Sequence, residues 1–294
     1  MDMTTFFAYA RRAPFGGRLN QGQIDGINAI LGQWRFYNLR DRRELAYILA
    51  TIFHETAGRM LPVRETLASS DAKAIKALDK AFAAGKLGTV KAPYWRVDKD
   101  GKSWFGRGGV QITHKANYEK LGKRLKVDLV GNPSMALDPV ISAKIAIVGM
   151  YEGLFTGKKL SDYFSHDMAN AEGARVVVNG TDKAKLIAAY YKNFLDALDA
   201  AYLAKSKGVP ADVSPKDALP DNVPATSSKT LWTVVAGLFG GSGLGVAKEA
   251  AESGATLLSA VANPWAFGSL ALLLIGAGAF AYMLHSGRLT INRA

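Results

Sequence analysis

Residues 46–70 read AYILATIFHETAGRMLPVRETLASS, and their pattern decides the fold. Leu45, Ile48, Leu49 and Ile52 recur at i, i+3, i+4 and i+7, the spacing of one apolar face of an α-helix. The helix runs out at His54 and Glu55, and Gly58 and Pro62 turn the chain before Glu65 appears in the adjoining loop. A carboxylate at a helix end and a second in the neighbouring loop are placed to face each other across a cleft. Glycosidic cleavage needs such a pair, one carboxyl to protonate the leaving oxygen and one to position or deprotonate the attacking water. Two glutamates ten residues apart are also ordinary surface residues, so the pair needs context.

Outward from this segment the chain reads as mainly α. Ile141, Ile145, Val148 and Gly149, with Leu154, mark a second buried helix. A third runs from about Asp182 to Leu203, with Leu186, Ile187, Tyr190, Phe194, Leu198 and Tyr202 expected on one side. Residues 205–229, KSKGVPADVSPKDALPDNVPATSSK, hold four prolines and no apolar periodicity, which predicts a linker between a catalytic body at 1–204 and a hydrophobic tail at 230–294. No Asp, Glu, Lys or Arg occurs from Ser253 to Gly287. Residues 264–284 are long enough to cross a bilayer as a helix, with Trp265 and Tyr282 near the ends. The glycine-interrupted apolar stretch at 231–247 is open between a second membrane segment and an interfacial one. The N-terminus has no signal-peptide pattern, since its short apolar run precedes Arg11 and Arg12 instead of following them.

The 294 residues include no cysteine, which removes disulfide frameworks and thiolate metal sites. Seven of the 37 basic and five of the 25 acidic residues lie from Lys205 onward, so the first 204 residues carry 30 against 20, a formal charge of +10. Such a body is drawn to polyanions: nucleic acid, anionic lipid or an anionic wall polymer. No nucleic-acid-binding motif is evident, so no nucleic-acid partner is expected. His54 and Glu55 begin HETAG and not H-E-x-x-H, and the second helical histidine of a zinc site is missing. No metal and no cofactor are expected.

A second informative stretch spans residues 104–133, WFGRGGVQITHKANYEKLGKRLKVDLVGNP. Arg107 stands among three glycines that permit close backbone approach. Gln111, Thr113, Asn117 and Tyr118 then offer neutral hydrogen-bonding groups and an aromatic face suited to sugar hydroxyls and N-acetyl groups.

FHETAG at 53–58, FGRGGVQITHKANY at 105–118 and VDLVGNPSMALDPVISAKIAI at 127–147 resemble, in order and spacing, the glycoside hydrolase family 19 domain of chitinases and phage endolysins. The resemblance runs from about Leu45 to Leu203, and VVVNGT at 176–181 strengthens it. It implies a lysozyme-like helical domain with a deep substrate cleft and hydrolysis that inverts the anomeric centre. Glu55 falls on the general acid of the family's His-Glu-Thr motif, with His54 and Thr56 of that motif as substrate-binding positions. Glu65 is the best match for the second carboxylate of the endolysin members, and Asp71 is the fallback. Arg107, Gln111, Thr113, Asn117 and Tyr118 match the family's cleft-lining motif, and Asn179 matches its late substrate-contacting loop.

The positive body and the lack of a cysteine-rich chitin-binding module favour peptidoglycan glycan strands as substrate. The expectation is a phage endolysin held at the host inner membrane by its C-terminal segment, acting on the periplasmic side, with a holin as a further partner. Three rivals remain open at this point: a lytic transglycosylase, a chitinase on the same fold, and a non-catalytic membrane-tethered wall-binding component.

Overall fold

The computed structural model describes residues 1–88, 90–224 and 290–292. The expected membrane span at 264–284 and the stretch at 231–247 lie outside them. Two compact units result, residues 1–220 and 221–294.

The first unit is mainly helical, as expected. Its helices are α1 (Met3–Arg12), α2 (Gln21–Phe36), α3 (Arg42–Glu55), α4 (Asp71–Ala83), α5 (Lys115–Leu125), α6 (Pro139–Glu152) and α7 (Ala184–Lys207). Every residue of α3 from Glu44 to Ile52 is buried, so the helix carrying HET is enclosed on all sides and not on one face alone. Leu45, Ile48, Leu49 and Ile52 each contribute about 1.5–3 kcal/mol by leaving water. Asp41 starts α3 by accepting the Arg43 N–H at 2.9 Å.

α6 packs on α2 and α3. Its start is written in Asp138-Pro139: the carboxylate accepts the N–H groups of Val140 and Ile141, both at 2.9 Å, and the proline occupies the first turn, where no N–H is needed. Gly153, at φ +73°, ends it. α7 packs along α3 and α1. Its inward stripe is Ile187, Tyr191, Phe194, Leu198 and Ala201, while Leu186 and Tyr202 are exposed. The expected apolar side is thus rotated: those two residues fall outside the arc that faces α3. Tyr202 instead lies under the guanidinium of Arg42, 5.0 Å from its ring centre.

Two short antiparallel pairs complete this unit. β1 (Val63–Arg64) and β2 (Arg107–Gly108) tie the loop after α3 to the glycine-rich segment, pairing Val63 with Gly108 and Arg64 with Arg107. β3 (Phe164–Ser165) pairs with β4 (Met168–Ala169). The main core surrounds α3, and a smaller cluster of Ala74, Leu78, Trp95 and Phe105 supports α4.

The segment expected to begin a linker at 205 departs from that reading. Residues up to Lys207 complete α7, and the chain then returns to dock a 3-10 turn, Pro215–Ala218, on α1. Arg11 Nε donates to the Asp217 carbonyl at 2.7 Å, and Arg12 pairs with Asp212 at 2.6 Å. The prolines shape a strap, and two arginines of α1 hold it down. In the second unit β5 (Asn222–Pro224) pairs antiparallel with β6 (Thr290–Asn292). Among the described residues no helix is long and apolar enough to cross a membrane.

Candidate active site

Glu55 is the last residue of α3, and the turn behind it is pinned from several directions. Thr56 donates its hydroxyl to the Ile52 carbonyl at 2.7 Å and accepts the Met60 N–H at 3.0 Å. Gln23 of α2 donates to the Gly58 carbonyl at 2.9 Å. Gly26 of α2 packs so closely that a Cβ there would meet the Met60 carbonyl oxygen at 2.3 Å. The helix end carrying Glu55 is therefore held by packing as well as by hydrogen bonds.

The Glu55 side chain is 18% exposed and accepts a 2.8 Å hydrogen bond on Oε1 from Arg175 Nη1. Arg175 lies in the 3-10 turn Gly173–Val177, is almost fully buried, and also donates through Nε to the Asp182 carbonyl at 3.0 Å. This partner escaped the sequence reading. Its only signal was a lone arginine in the otherwise apolar run ARVVV, a setting in which a charge must find an opposite one. Beside the pair, His54 stands 6.4 Å, ring to ring, from Tyr190. Burial lowers the His54 pKa, Glu55 pulls it back up and Arg175 lowers it again, so the imidazole is neutral at pH 7.

Glu55 opens on a cleft of about 200 Å³ whose walls include Gln111, Thr113, Asn117, Phe155 and Asn179. Four site residues expected from the motifs thus line the same cleft as Glu55. The turn from Arg107 to Ile112 builds one wall. Gln111 holds it by donating to the carbonyls of Val63 at 2.9 Å and Gly108 at 2.8 Å. Gln111 and His114 both adopt positive φ, at 51° and 63°, strain that the surrounding hydrogen bonds must hold in place. Asn117 donates to the Thr113 carbonyl at 2.8 Å, fixing the start of α5 at the cleft edge. Phe155 closes over α6 because residue 149 is glycine: a Cβ there would meet the Phe155 ring at 2.1 Å.

Glu65 lies at the start of a 3-10 turn, Glu65–Leu67. Its Oε1 accepts the Tyr94 hydroxyl at 2.8 Å and its Oε2 the Gly106 N–H at 2.7 Å. Burial, and then the hydrogen bond to this carboxylate, push the Tyr94 phenol well above its usual pKa. Gly106 separates Glu65 from Gln111, since a Cβ there would meet Gln111 Oε1 at 2.9 Å and Glu65 Oε2 at 3.3 Å. Tyr94 was also missed, because an aromatic in the loop KAPYW carries no spacing that distinguishes it.

Three expected substrate contacts are instead supports beneath the cleft. Thr56 and Tyr118 are fully buried and Arg107 is 1% exposed, so none presents a free polar atom to a ligand. Arg107 lies 3.6 Å from the Phe105 ring centre and donates to the Ser103 carbonyl at 2.8 Å, the Tyr118 hydroxyl at 3.1 Å and Asp71 Oδ2 at 2.7 Å. Tyr118, its phenol pushed up to about 12 by burial, donates to the Phe105 carbonyl at 2.9 Å. Asp71, the fallback carboxylate, is committed to Arg107 and, through Oδ1, to Arg64 at 2.6 Å. Burial alone raises its pKa, but the hydrogen bonds and charges of the two arginines outweigh this and hold it below the usual carboxylate range.

A mainly helical body with a carboxyl, amides and a hydroxyl around one cleft has the equipment to grip uncharged sugar groups and hand over a proton. Residues 37–153 match the family model described as chitinase class I, that of glycoside hydrolase family 19. Endochitinase 4 of Solanum tuberosum is 52% identical over 48 residues, 16% of each chain. Chitinase 11 of Oryza sativa subsp. japonica is 36% identical over 110 residues, 36% of this chain and 34% of that protein. The chain thus spans between a sixth and about a third of these relatives' lengths. Among solved structures, chitinase C from Streptomyces griseus aligns with a TM-score of 0.41 at 18% identity, covering 63% of this chain and 73% of that one.

Proposed function

We propose that the chain is a glycoside hydrolase that cuts the β-1,4-linked amino-sugar strands of peptidoglycan by inverting acid/base hydrolysis. The observation that carries the reading is the convergence of Glu55 with Gln111, Thr113, Asn117 and Asn179 on one cleft. Glu55 donates its proton to the glycosidic oxygen as the bond to the anomeric carbon breaks. Water attacks that carbon from the opposite face and gives its proton to Glu65, so the products are one reducing end and one free hydroxyl. Arg175 supplies the counter-charge to the carboxylate left on Glu55. Tyr94 and the Gly106 N–H take one lone pair on each Glu65 oxygen, which leaves one on each to hold the water.

The +10 charge of residues 1–204 favours peptidoglycan, whose stem peptides carry ionised carboxylates, over neutral chitin. The uncharged run at 264–284 supports attachment to the inner membrane, with the hydrolase acting on the periplasmic side as an endolysin and a holin assisting access to the wall. Chitin is the second reading, favoured by the names of the plant relatives. Digestion of purified peptidoglycan and of chitin by the full chain decides between them. Soluble fragments with reducing ends from peptidoglycan support the proposal, release from chitin alone shifts it to a chitinase, and anhydro-sugar ends replace hydrolysis by transglycosylation.

A further inference from the structure

Directly after Glu65 the backbone enters the left-handed region twice in succession, at Thr66 with φ +63° and at Leu67 with φ +56°. Glycine and asparagine take that conformation readily, whereas a β-branched threonine and a bulky leucine take it against the steric resistance of their own Cβ. Both ends of the turn are clamped. Ahead of it the Glu65 N–H donates to the Gly106 carbonyl at 2.6 Å, and Arg64 pairs with Arg107 across the two strands. Behind it Ser70 caps α4, and Asp71 binds Arg64 and Arg107. Leu67 gains no burial in return: it is 39% exposed, while the next residue, Ala68, packs on the smaller apolar cluster. A single exposed leucine is ordinary on a protein surface. An exposed leucine in a conformation that leucine resists is not explained by folding, because glycine or asparagine would serve the turn better. Strain of this kind gathers where a backbone presents a side chain to a ligand.

The neighbours say where that ligand lies. Leu67 follows Glu65 by two residues, so their Cα atoms are at most about 7 Å apart. Glu65 Oε2 and Gln111 Oε1 both approach the space over Gly106, and Gln111 lines the cleft on which Glu55 opens. We propose that Leu67 is a substrate-binding residue, its side chain packing on the apolar C–H face and acetamido methyl of the amino sugar whose anomeric carbon is attacked beside Glu65. An aliphatic side chain offers no hydrogen bond, so it recognises only the apolar part of a sugar. The polar part is left to Gln111, Thr113, Asn117 and Asn179 of the cleft wall. The contact rests on the glycoside hydrolase reading for the identity of its ligand.

The test uses Leu67→Asn, Leu67→Met and Thr66→Gly in the full chain. Asparagine accepts the left-handed backbone and removes the apolar contact, methionine keeps the contact, and glycine at 66 relaxes the turn with Leu67 in place. The readouts are Tm, kcat and KM on soluble uncrosslinked peptidoglycan strands and on chitohexaose, and the Kd of both by calorimetry in the Glu55→Gln background, where the glycans stay intact. Leu67→Asn is expected to raise KM and Kd roughly fivefold to fiftyfold with kcat within about threefold, as loss of part of one leucine's burial does, while Tm stays level or rises. Leu67→Met and Thr66→Gly are expected to hold KM and Kd within about twofold of the wild type. KM and Kd within about twofold in Leu67→Asn, or an equal rise in Thr66→Gly, overturn the contact. A Tm fall of more than about 4 °C in Leu67→Asn overturns it too, by assigning Leu67 to stability. A wild type that binds the glycans without cutting them removes the hydrolase reading, and a weaker Kd in Leu67→Asn then still supports the contact. Normal cleavage with unaltered KM in Leu67→Asn removes the contact and leaves the hydrolase reading, and a wild type that neither binds nor cuts overturns both.

Discussion

Replacing Asp71 by asparagine removes the negative charge that pairs with both Arg107 and Arg64 while keeping the side-chain volume. Arg107 is 1% exposed, so its guanidinium loses its counter-ion inside the protein. Breaking a buried pair from one side costs about 3–5 kcal/mol. The Asp71 side chain is 39% exposed, so water screens its half of the pair, and the asparagine oxygen remains as one acceptor. A cost of about 2 kcal/mol is expected from Arg107, with about 0–1 kcal/mol more from the half-exposed contact with Arg64. For a body of this size each kcal/mol lowers Tm by about 2–4 °C, which gives a drop of about 4–12 °C by far-UV circular dichroism at pH 7. The sign of the pH dependence follows from the lowered pKa of Asp71. Its stabilisation is fully present above the unfolded value of 3.8 and is lost as pH falls through the folded value, so the gap between wild type and variant closes in acid. Equal Tm values at pH 7, or a gap unchanged at pH 2, would refute this reasoning. Glycan cleavage by the folded variant is expected to survive at 25 °C; its complete loss would move the second carboxylate from Glu65 to Asp71.

Two further outcomes follow from the same geometry. Glu44 is 5% exposed, and burial, with Asp41 adding, pushes its pKa up to about 7 against 4.5 unfolded. A raised folded value means the favourable contribution is complete below 4.5 and lost as pH rises through about 7, so Glu44→Gln is expected to stabilise the protein at pH 8 by on the order of 2 kcal/mol and to be neutral at pH 4; urea unfolding at the two pH values checks this. Gly149→Ala is expected to swing Phe155 off its place in the cleft wall, because the new Cβ would lie 2.1 Å from its ring. A raised KM with a Tm change under about 4 °C is the expected pattern, and an unaltered KM would show that Phe155 is not a binding wall.

What the sequence made legible has a common physical origin. The centre of α3 was readable because its apolar periodicity is strong, and the start of α6 because Asp138 and Pro139 write a helix start in two residues. Gln111, Thr113, Asn117 and Asn179 were readable as polar groups in glycine-rich or turn-forming contexts, and all reach the cleft. Arg175 was not, since its partner lies 120 positions away and only folding brings them together. The division of the glycine-rich motif into walls and supports was equally hidden, because burial separates Gln111 from Arg107 and Tyr118 and no local spacing encodes it. The strap at 208–220 reads as linker in the sequence because its prolines and small residues disfavour periodic structure, while its anchors, Arg11 and Arg12, sit near the other end of the chain.

The central claim is that Glu55 protonates a glycosidic oxygen of peptidoglycan. Glu55→Gln tests it most directly, since the amide keeps an oxygen for Arg175 and cannot donate the proton as a carboxylic acid does. Initial rates of reducing-end release from purified peptidoglycan should fall by about 10²–10⁴-fold in the full-length variant, with the fold retained by circular dichroism. A variant that releases reducing ends within about threefold of the wild-type rate would contradict the account, because no general acid is lost at that margin.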